Sequence, residues 1–206
     1  MKTHDRASNV TWHPSADEVA ALRRGCMRQR GVTAWLTGLS GSGKSTVSVV
    51  AERLLLEAGV AAARLDGDNL RHGLNADCSF DAAGRAEAVR RAGEAALLLS
   101  GAGVVTLVGM ISPYRADRER VRARHASCGI SFLEVFVDAP LAVAERRDPK
   151  GLYARARAGE IRGFTGIDDP YEAPAAPEVR LATGDMSAEE CARALVDAII
   201  AAARGD

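Results

Sequence analysis

The amino-acid sequence predicts an α/β fold, a three-layer sandwich around a mostly parallel sheet, and three observations carry the prediction. Short β-prone apolar runs alternate regularly with segments of helical periodicity. The run Ser131 to Asp138 is almost continuously hydrophobic, which suits a parallel strand covered on both faces. A glycine-rich turn lies between the run Val32 to Thr37 and a helical segment, so strand, glycine loop and helix follow one another directly.

Each element can be justified in chain order. Residues 1–14 are polar and irregular, and Ser15-Ala16-Asp17-Glu18 reads as a capping box that opens a short helix toward Met27. Val32 to Thr37 is the first strand, and helical spacing runs from Thr46 to Glu57. Ala61 to Leu65 is a second strand that delivers Asp66-Gly67-Asp68-Asn69 at its C-terminal end, followed by a loop. Asp81 to Ser100 predicts a long helix with Ala86, Val89, Ala92 and Ala96 on one side. Gly103 to Met110 is a buried strand, Arg115 to Ser127 a charged helix, and Ser131 to Asp138 the next strand. Residues 148–172 break the alternation, being charged, glycine-punctuated and poor in core residues, and are expected to form a mobile lid. Glu178 to Thr183 supplies a last strand. Ser187-Ala188-Glu189-Glu190 caps a final helix that turns Cys191, Leu195, Ala198, Ile199 and Ala202 inward. With no internal repeat or linker, the expectation is a single domain over 1–206, with an N-terminal extension and helix at 1–30 and the lid at 148–172.

Composition narrows the function. Apolar residues make up 47% and charged residues 26%, ordinary globular usage. Lys+Arg and Asp+Glu both count 27, so there is no bulk positive field for non-specific nucleic-acid or membrane-surface binding, and any phosphate affinity must be local. Cys26, Cys78, Cys128 and Cys191 form no ligand cluster and read as free thiols of a reducing cytosol; the four histidines are equally scattered. The N-terminus lacks a signal peptide's apolar core and no apolar stretch is long enough to span a bilayer, so a cytoplasmic location is expected.

Local phosphate affinity has an obvious seat. Gly38-Leu39-Ser40-Gly41-Ser42-Gly43-Lys44-Ser45-Thr46 satisfies G-x-x-x-x-G-K-[ST], a P-loop that surrounds a β-phosphate with backbone N–H groups and a helix N-terminus. Lys44 is placed to bridge the β- and γ-phosphates of ATP, and Ser45 to ligate Mg²⁺. Asp66 and Asp68, two apart after a strand, share one face toward the crevice where α/β proteins bind ligands. One carboxylate can orient Mg²⁺ through water while the other takes a hydroxyl proton; Asp68 is the base candidate. Arg71 and Arg85 flank Phe80, a grouping suited to a phosphate-bearing ligand with a flat base, although solvated arginines are the commoner explanation of such a pair. Ser112 in Ile111-Ser112-Pro113-Tyr114-Arg115 follows a buried strand, where ligand groups are often contacted and where a plain strand-terminating turn is the alternative.

These motifs, in this order, resemble the adenylyl-sulfate kinase family of P-loop kinases. The similarity runs from Asn9-Val10-Thr11-Trp12-His13 through the P-loop, Asp66 to Asn75, Ile111 to Asp117 and Asp148-Pro149-Lys150-Gly151-Leu152-Tyr153 to the stretch Ala158 to Glu172. The resemblance implies an ATP-dependent kinase of the 3′-hydroxyl of adenosine 5′-phosphosulfate, with Mg²⁺ as cofactor, and commonly a homodimer. It also implies acceptor contacts from Asp66, Asp68, Arg71, Arg85, Ile111, Ser112 and Lys150, with Phe80 and Phe164 sandwiching the adenine. Lys150 and Phe164 would arrive with the lid, and Phe164 is expected to stay unburied without ligand. Ser112 belongs to the implied catalytic centre as an acceptor contact, since direct in-line transfer needs no phosphoserine. Two positions depart from the family pattern: Ala88 stands where Asn is usual, and Met110 where Phe is. Losing one hydrogen bond costs on the order of 1 kcal/mol, several-fold in affinity, which leaves room for a shifted acceptor. The competing readings are a kinase of the same scaffold acting on another nucleotide or small hydroxyl, and a non-catalytic nucleotide-binding subunit. Intact Lys44, Ser45, Asp66 and Asp68 and a full lid argue against the latter.

Overall fold

The computed structural model describes residues 17–204. The capping box at Ser15 and the polar segment before it lie outside the described residues. Five strands, β1 (Val32–Thr37), β2 (Ala62–Asp66), β3 (Val105–Gly109), β4 (Ser131–Asp138) and β5 (Val179–Ala182), form one sheet in the order β2-β3-β1-β4-β5. Every pairing is parallel, with Leu36 opposite both Gly109 and Val135. All the strand C-termini therefore lie along one edge, and β1 is central.

Side chains alternate across β1 and build the two halves of the core. Ala34 and Leu36 face a cluster with Val47, Leu55, Leu195 and Ile199 from α2 (Lys44–Glu57) and α8 (Ala188–Arg204). Trp35 faces the other way, toward Val89, Ala92, Ala96 and Val121 of α4 (Ala82–Gly101) and α5 (Arg115–Ala126). The remaining helices are α1 (Asp17–Met27), α3 (Gly67–Leu70), α6 (Leu141–Arg147) and α7 (Leu152–Arg157). Three departures from the sequence reading follow. Helix α2 begins at Lys44, directly after the left-handed Gly43. The segment after Asp66 starts as a helical turn because the Asp66 side chain caps it, accepting from the Asp68 N–H at 3.0 Å. The expectation that residues 148–172 lack core is corrected: Tyr153, Ala156 and Phe164 are buried with Ala144, and Leu152, Ile161 and Ile167 pack around them.

A buried polar chain crosses the α4–α5 layer. His125 is fully buried; its Nδ1 donates to the Val121 carbonyl at 2.9 Å and its Nε2 accepts from the Thr33 hydroxyl at 3.0 Å. Thr33 lies 2.8 Å from Ser100 Oγ, itself 3.1 Å from Thr106 Oγ1. Burial lowers the His125 pKa below its ordinary 6.5, because the cation would lose water and Nε2 would lose its acceptor role. The folded state therefore binds its proton less readily than the unfolded chain. Stability from this site is complete above pH 6.5 and falls as pH drops below it, at a slope of at most about 1.4 kcal/mol per pH unit. Urea unfolding between pH 7.5 and 5 should show this loss, and His125→Gln should flatten that part of the profile.

Candidate functional site

The turn between β1 and α2 is packed so closely that side chains are excluded. A Cβ at Gly38 would meet the Val137 carbonyl oxygen at 2.5 Å. At Gly41, where φ is +71°, it would meet the Ala144 carbonyl oxygen at 2.8 Å. The carbonyls of the turn are held from distant segments: Tyr153 donates to Ser40 O at 2.9 Å, Thr183 to Ser42 O at 2.7 Å, and Arg147 reaches Gly41 O at 3.4 Å. Lys44 curls back over the loop and donates to Gly38 O and Leu39 O at 2.9 and 2.7 Å. Burial lowers its pKa from 10.5 to about 8, against the pull of Asp66 and Asp68, which favour the cation, and with a smaller push from Lys150.

The two carboxylates after β2 are distinct. Asp66 is buried: Oδ2 accepts from Ser45 Oγ at 2.7 Å, while Oδ1 caps α3. Asp68 is exposed and pairs with Lys150, from the start of residues 148–172. The adjacent hydroxyl of Ser45 and carboxylate of Asp66 are hard oxygen donors of the kind that suits Mg²⁺. Lys44, Ser45, Asp66, Asp68 and Lys150 thus meet at one edge of the sheet.

A second group borders them. The Arg71 guanidinium lies 4.0 Å over the Phe80 ring and donates to the Cys78 carbonyl, and the ring itself is 72% exposed, so core packing does not explain it. Arg85 joins this loop to residues 163–169: Nε donates to Phe80 O at 2.7 Å, while its terminal nitrogens reach Gly163 O, Thr165 Oγ1 and, at 3.6 Å, Asp169. Ser112, after β3, is 3% exposed with φ +40°. Its hydroxyl accepts from the Trp35 indole at 3.1 Å and donates to Met110 O at 3.4 Å; among the described residues no carboxylate or imidazole contacts it. The neighbouring Ile111 carbonyl accepts from Thr37 Oγ1 at 2.7 Å. Phe164 is a correction. Far from standing free, it is 8% exposed and packs edge-on against Tyr153 at 5.0 Å, because Gly163 N–H and Phe164 N–H both bond the Asp168 carboxylate and turn the ring inward.

Comparison with known proteins fits this geometry. The family model described as adenylylsulphate kinase matches residues 30–182. The chain belongs to that family. It is 50% identical to the adenylyl-sulfate kinase of Saccharomyces cerevisiae over 94% of this chain and 95% of the relative. It is 52% identical to that of an Enterobacter species over 88% of each. Among solved structures, the Mycobacterium tuberculosis APS kinase CysC in complex with AMPPNP and APS superposes with a TM-score of 0.81 at 56% identity, over 83% of this chain and 98% of that one.

Ala88 lies on the inner face of α4, where its carbonyl accepts from Asn75 Nδ2 at 3.3 Å while Asn75 Oδ1 has no hydrogen-bond partner among the described residues. Met110 Cγ would sit 3.3 Å from a Cβ at Gly67, so both departures fall beside the loops that carry Asp68 and Phe80. Sequence reasoning did not single out Arg147, Thr183 or Tyr153 as supports of the glycine loop, nor Arg118 beneath residues 148–172, nor Asp169 and Tyr171 within them. Tyr171 and Asp169 stood within a family-specific stretch, whereas Arg118 is one of five arginines on a charged helix and carries no such signal.

The Lys44 environment makes a prediction. The chain has three lysines, Lys2, Lys44 and Lys150, so amine acylation read by mass spectrometry resolves each of them. Without nucleotide, Lys44 labelling should be half-maximal near pH 8, and ADP should suppress it. Because the ammonium is lost as pH rises through about 8, ADP affinity should weaken above that pH, by at most about tenfold per unit.

Proposed function

We propose that this chain transfers the γ-phosphate of ATP to the 3′-hydroxyl of adenosine 5′-phosphosulfate, giving 3′-phosphoadenosine 5′-phosphosulfate and ADP for sulfate activation. The observation that carries this reading is the meeting of P-loop Lys44 with Asp68 and lid Lys150, in a chain 56% identical to a kinase solved with AMPPNP and APS. In this reading residues Gly38 to Thr46 wrap the ATP phosphates, and Lys44 exchanges its carbonyl partners for phosphate oxygens. Ser45 and Asp66 would hold Mg²⁺, which when bound neutralises charge on the phosphate oxygens. Asp68 accepts the proton of the attacking hydroxyl, and Lys150 is released from it to meet the acceptor's phosphosulfate together with Arg71 and Arg85. Ile111 and Ser112 line the acceptor side. Ser112 does so without a covalent step, since neither of its hydrogen-bond partners is a base.

Residues 148–172 act as the lid of a single kinase domain in this reading, excluding water as they close. A homodimer in the cytoplasm completes the proposal. The four cysteines are unpaired, no described helix is long and apolar enough to cross a membrane, and exposed Leu22 and Leu98 offer apolar surface for a partner copy.

ADP release with adenosine 5′-phosphosulfate, AMP and small alcohols as acceptors tests the reaction. Only the first should support turnover, and equal rates with AMP would overturn the assignment. Lys44→Ala and Asp68→Asn should each lower kcat by at least about a hundredfold with folding intact; turnover within about tenfold of wild type would remove them from the chemistry.

The adenine clamp is tested separately. Phe80→Ala should weaken acceptor binding by about 1–3 kcal/mol and leave ATP binding unchanged. Phe164→Ala also empties a packed cluster, so it should loosen the lid as well as the acceptor site.

A further inference from the structure

Five arginines line α5, and Arg118 alone among them is fully buried, 1% exposed. Its guanidinium joins three segments. Nε donates to Glu134 of β4 at 2.6 Å, one terminal nitrogen donates to the Ser112 carbonyl at 2.7 Å, and the other donates to the Glu172 carbonyl at 2.7 Å. The Tyr171 ring lies 6.0 Å away. Residue 172 is the C-terminal end of the lid, and it is laced to the same turn by Glu172 N–H to Pro113 O at 2.9 Å and Arg115 N–H to Glu172 Oε2 at 2.7 Å. Ser112 meanwhile holds a backbone conformation that non-glycine residues avoid, which persists only where neighbours over-determine it.

We propose that Arg118 is a positioning residue for the acceptor: from outside the site, it holds the Ser112 turn and the end of the lid in one register, so that acceptor affinity and lid closure depend on it. The inference rests on the kinase reading above. A guanidinium suits the task because its N–H groups point in fixed, divergent directions in a plane, which an ammonium cannot reproduce. The competing account is a buried ion pair with Glu134 that serves stability alone.

Two variants and two measurements separate these accounts. Arg118→Lys keeps a cation beside Glu134. Arg118→Met combined with Glu134→Gln removes both charges and leaves no unpaired buried ion, so it decides the matter if the lysine variant fails to fold. In either variant KM for adenosine 5′-phosphosulfate should rise at least about tenfold while KM for ATP stays within about twofold. Trypsin cleavage after Lys150, Arg155, Arg157 or Arg162 of the ADP-bound protein should accelerate at least about fivefold. If both KM values rise together, or if cleavage is unchanged, the proposal is overturned. Cleavage needs no acceptor, so it still decides the role of Arg118 if the wild type proves not to use adenosine 5′-phosphosulfate, a result that would instead overturn the proposed reaction.

Discussion

The close approach of backbone to backbone around the glycine loop is the constraint on which the rest of the site depends. With the Val137 and Ala144 carbonyls inside the volume that side chains at Gly38 and Gly41 would fill, the loop can take only one path out of β1. Protein donors from α7, from the end of α6 and from the loop after β5 then occupy its carbonyls. Engaging the carbonyl side from behind is the polarity an anion site requires. It also explains why Lys44 is held so far from its ordinary pKa: the loop supplies it with oxygen partners but little water. In the proposed reaction a phosphate group entering the loop would replace those carbonyls with full negative charge, which favours the protonated lysine that transfer needs.

Attachment of the proposed lid, residues 148–172, divides in two by burial. Tyr153 and Phe164, in the middle of the segment, form a cluster with Ala144 and Ala156, and Arg118 and Tyr171 fasten its C-terminal end, so both of these parts are anchored in protein interior. Two further contacts are of another kind. The Lys150–Asp68 pair leaves the two side chains 50% and 65% exposed, and such pairs contribute about 0–1 kcal/mol. Arg85, gripping Gly163 O and Thr165, uses donors that a phosphate would satisfy as well. Weak, ligand-competitive contacts at Lys150 and at Arg85, beside a buried cluster and a fastened C-terminal end, let parts of the segment yield to a ligand without unfolding it.

This division also explains what the sequence disclosed. The sheet, the two covering layers and the glycine loop were legible because hydrophobic period and glycine spacing report backbone geometry directly. Residues 148–172 read as coreless because their apolar members, Tyr153, Ile161, Phe164 and Ile167, are scattered among charges and meet only through the turn that Asp168 creates at Gly163 and Phe164. No periodic pattern records a cluster assembled by a side-chain-to-backbone bond five residues away. Helix α5 was misleading in the opposite sense. Its inward face is Asp117, Arg118, Val121 and His125, a helical stripe made mostly of polar residues, which composition alone assigns to solvent. Asp66, Asp68 and Lys150 could be named from motif order, but not the pairing of the last two, since they lie eighty-two residues apart.

The unequal burial of the two acidic residues carries the argument from geometry to mechanism. Asp66 spends one oxygen on Ser45 and the other on the N–H that starts α3, so protonating it would disturb both the P-loop helix and the turn that aims Asp68. Among the described residues Asp68 has a single side-chain partner, Lys150, and that partner belongs to the proposed lid. In the proposed reaction a proton can therefore pass to Asp68 at the least structural cost, and Asp66 is better suited to hold a cation than to change charge. In this reading, spacing two carboxylates across one helical cap separates an acid–base role from a binding role within three residues of chain. It also ties the reactivity of the first role to the position of the lid.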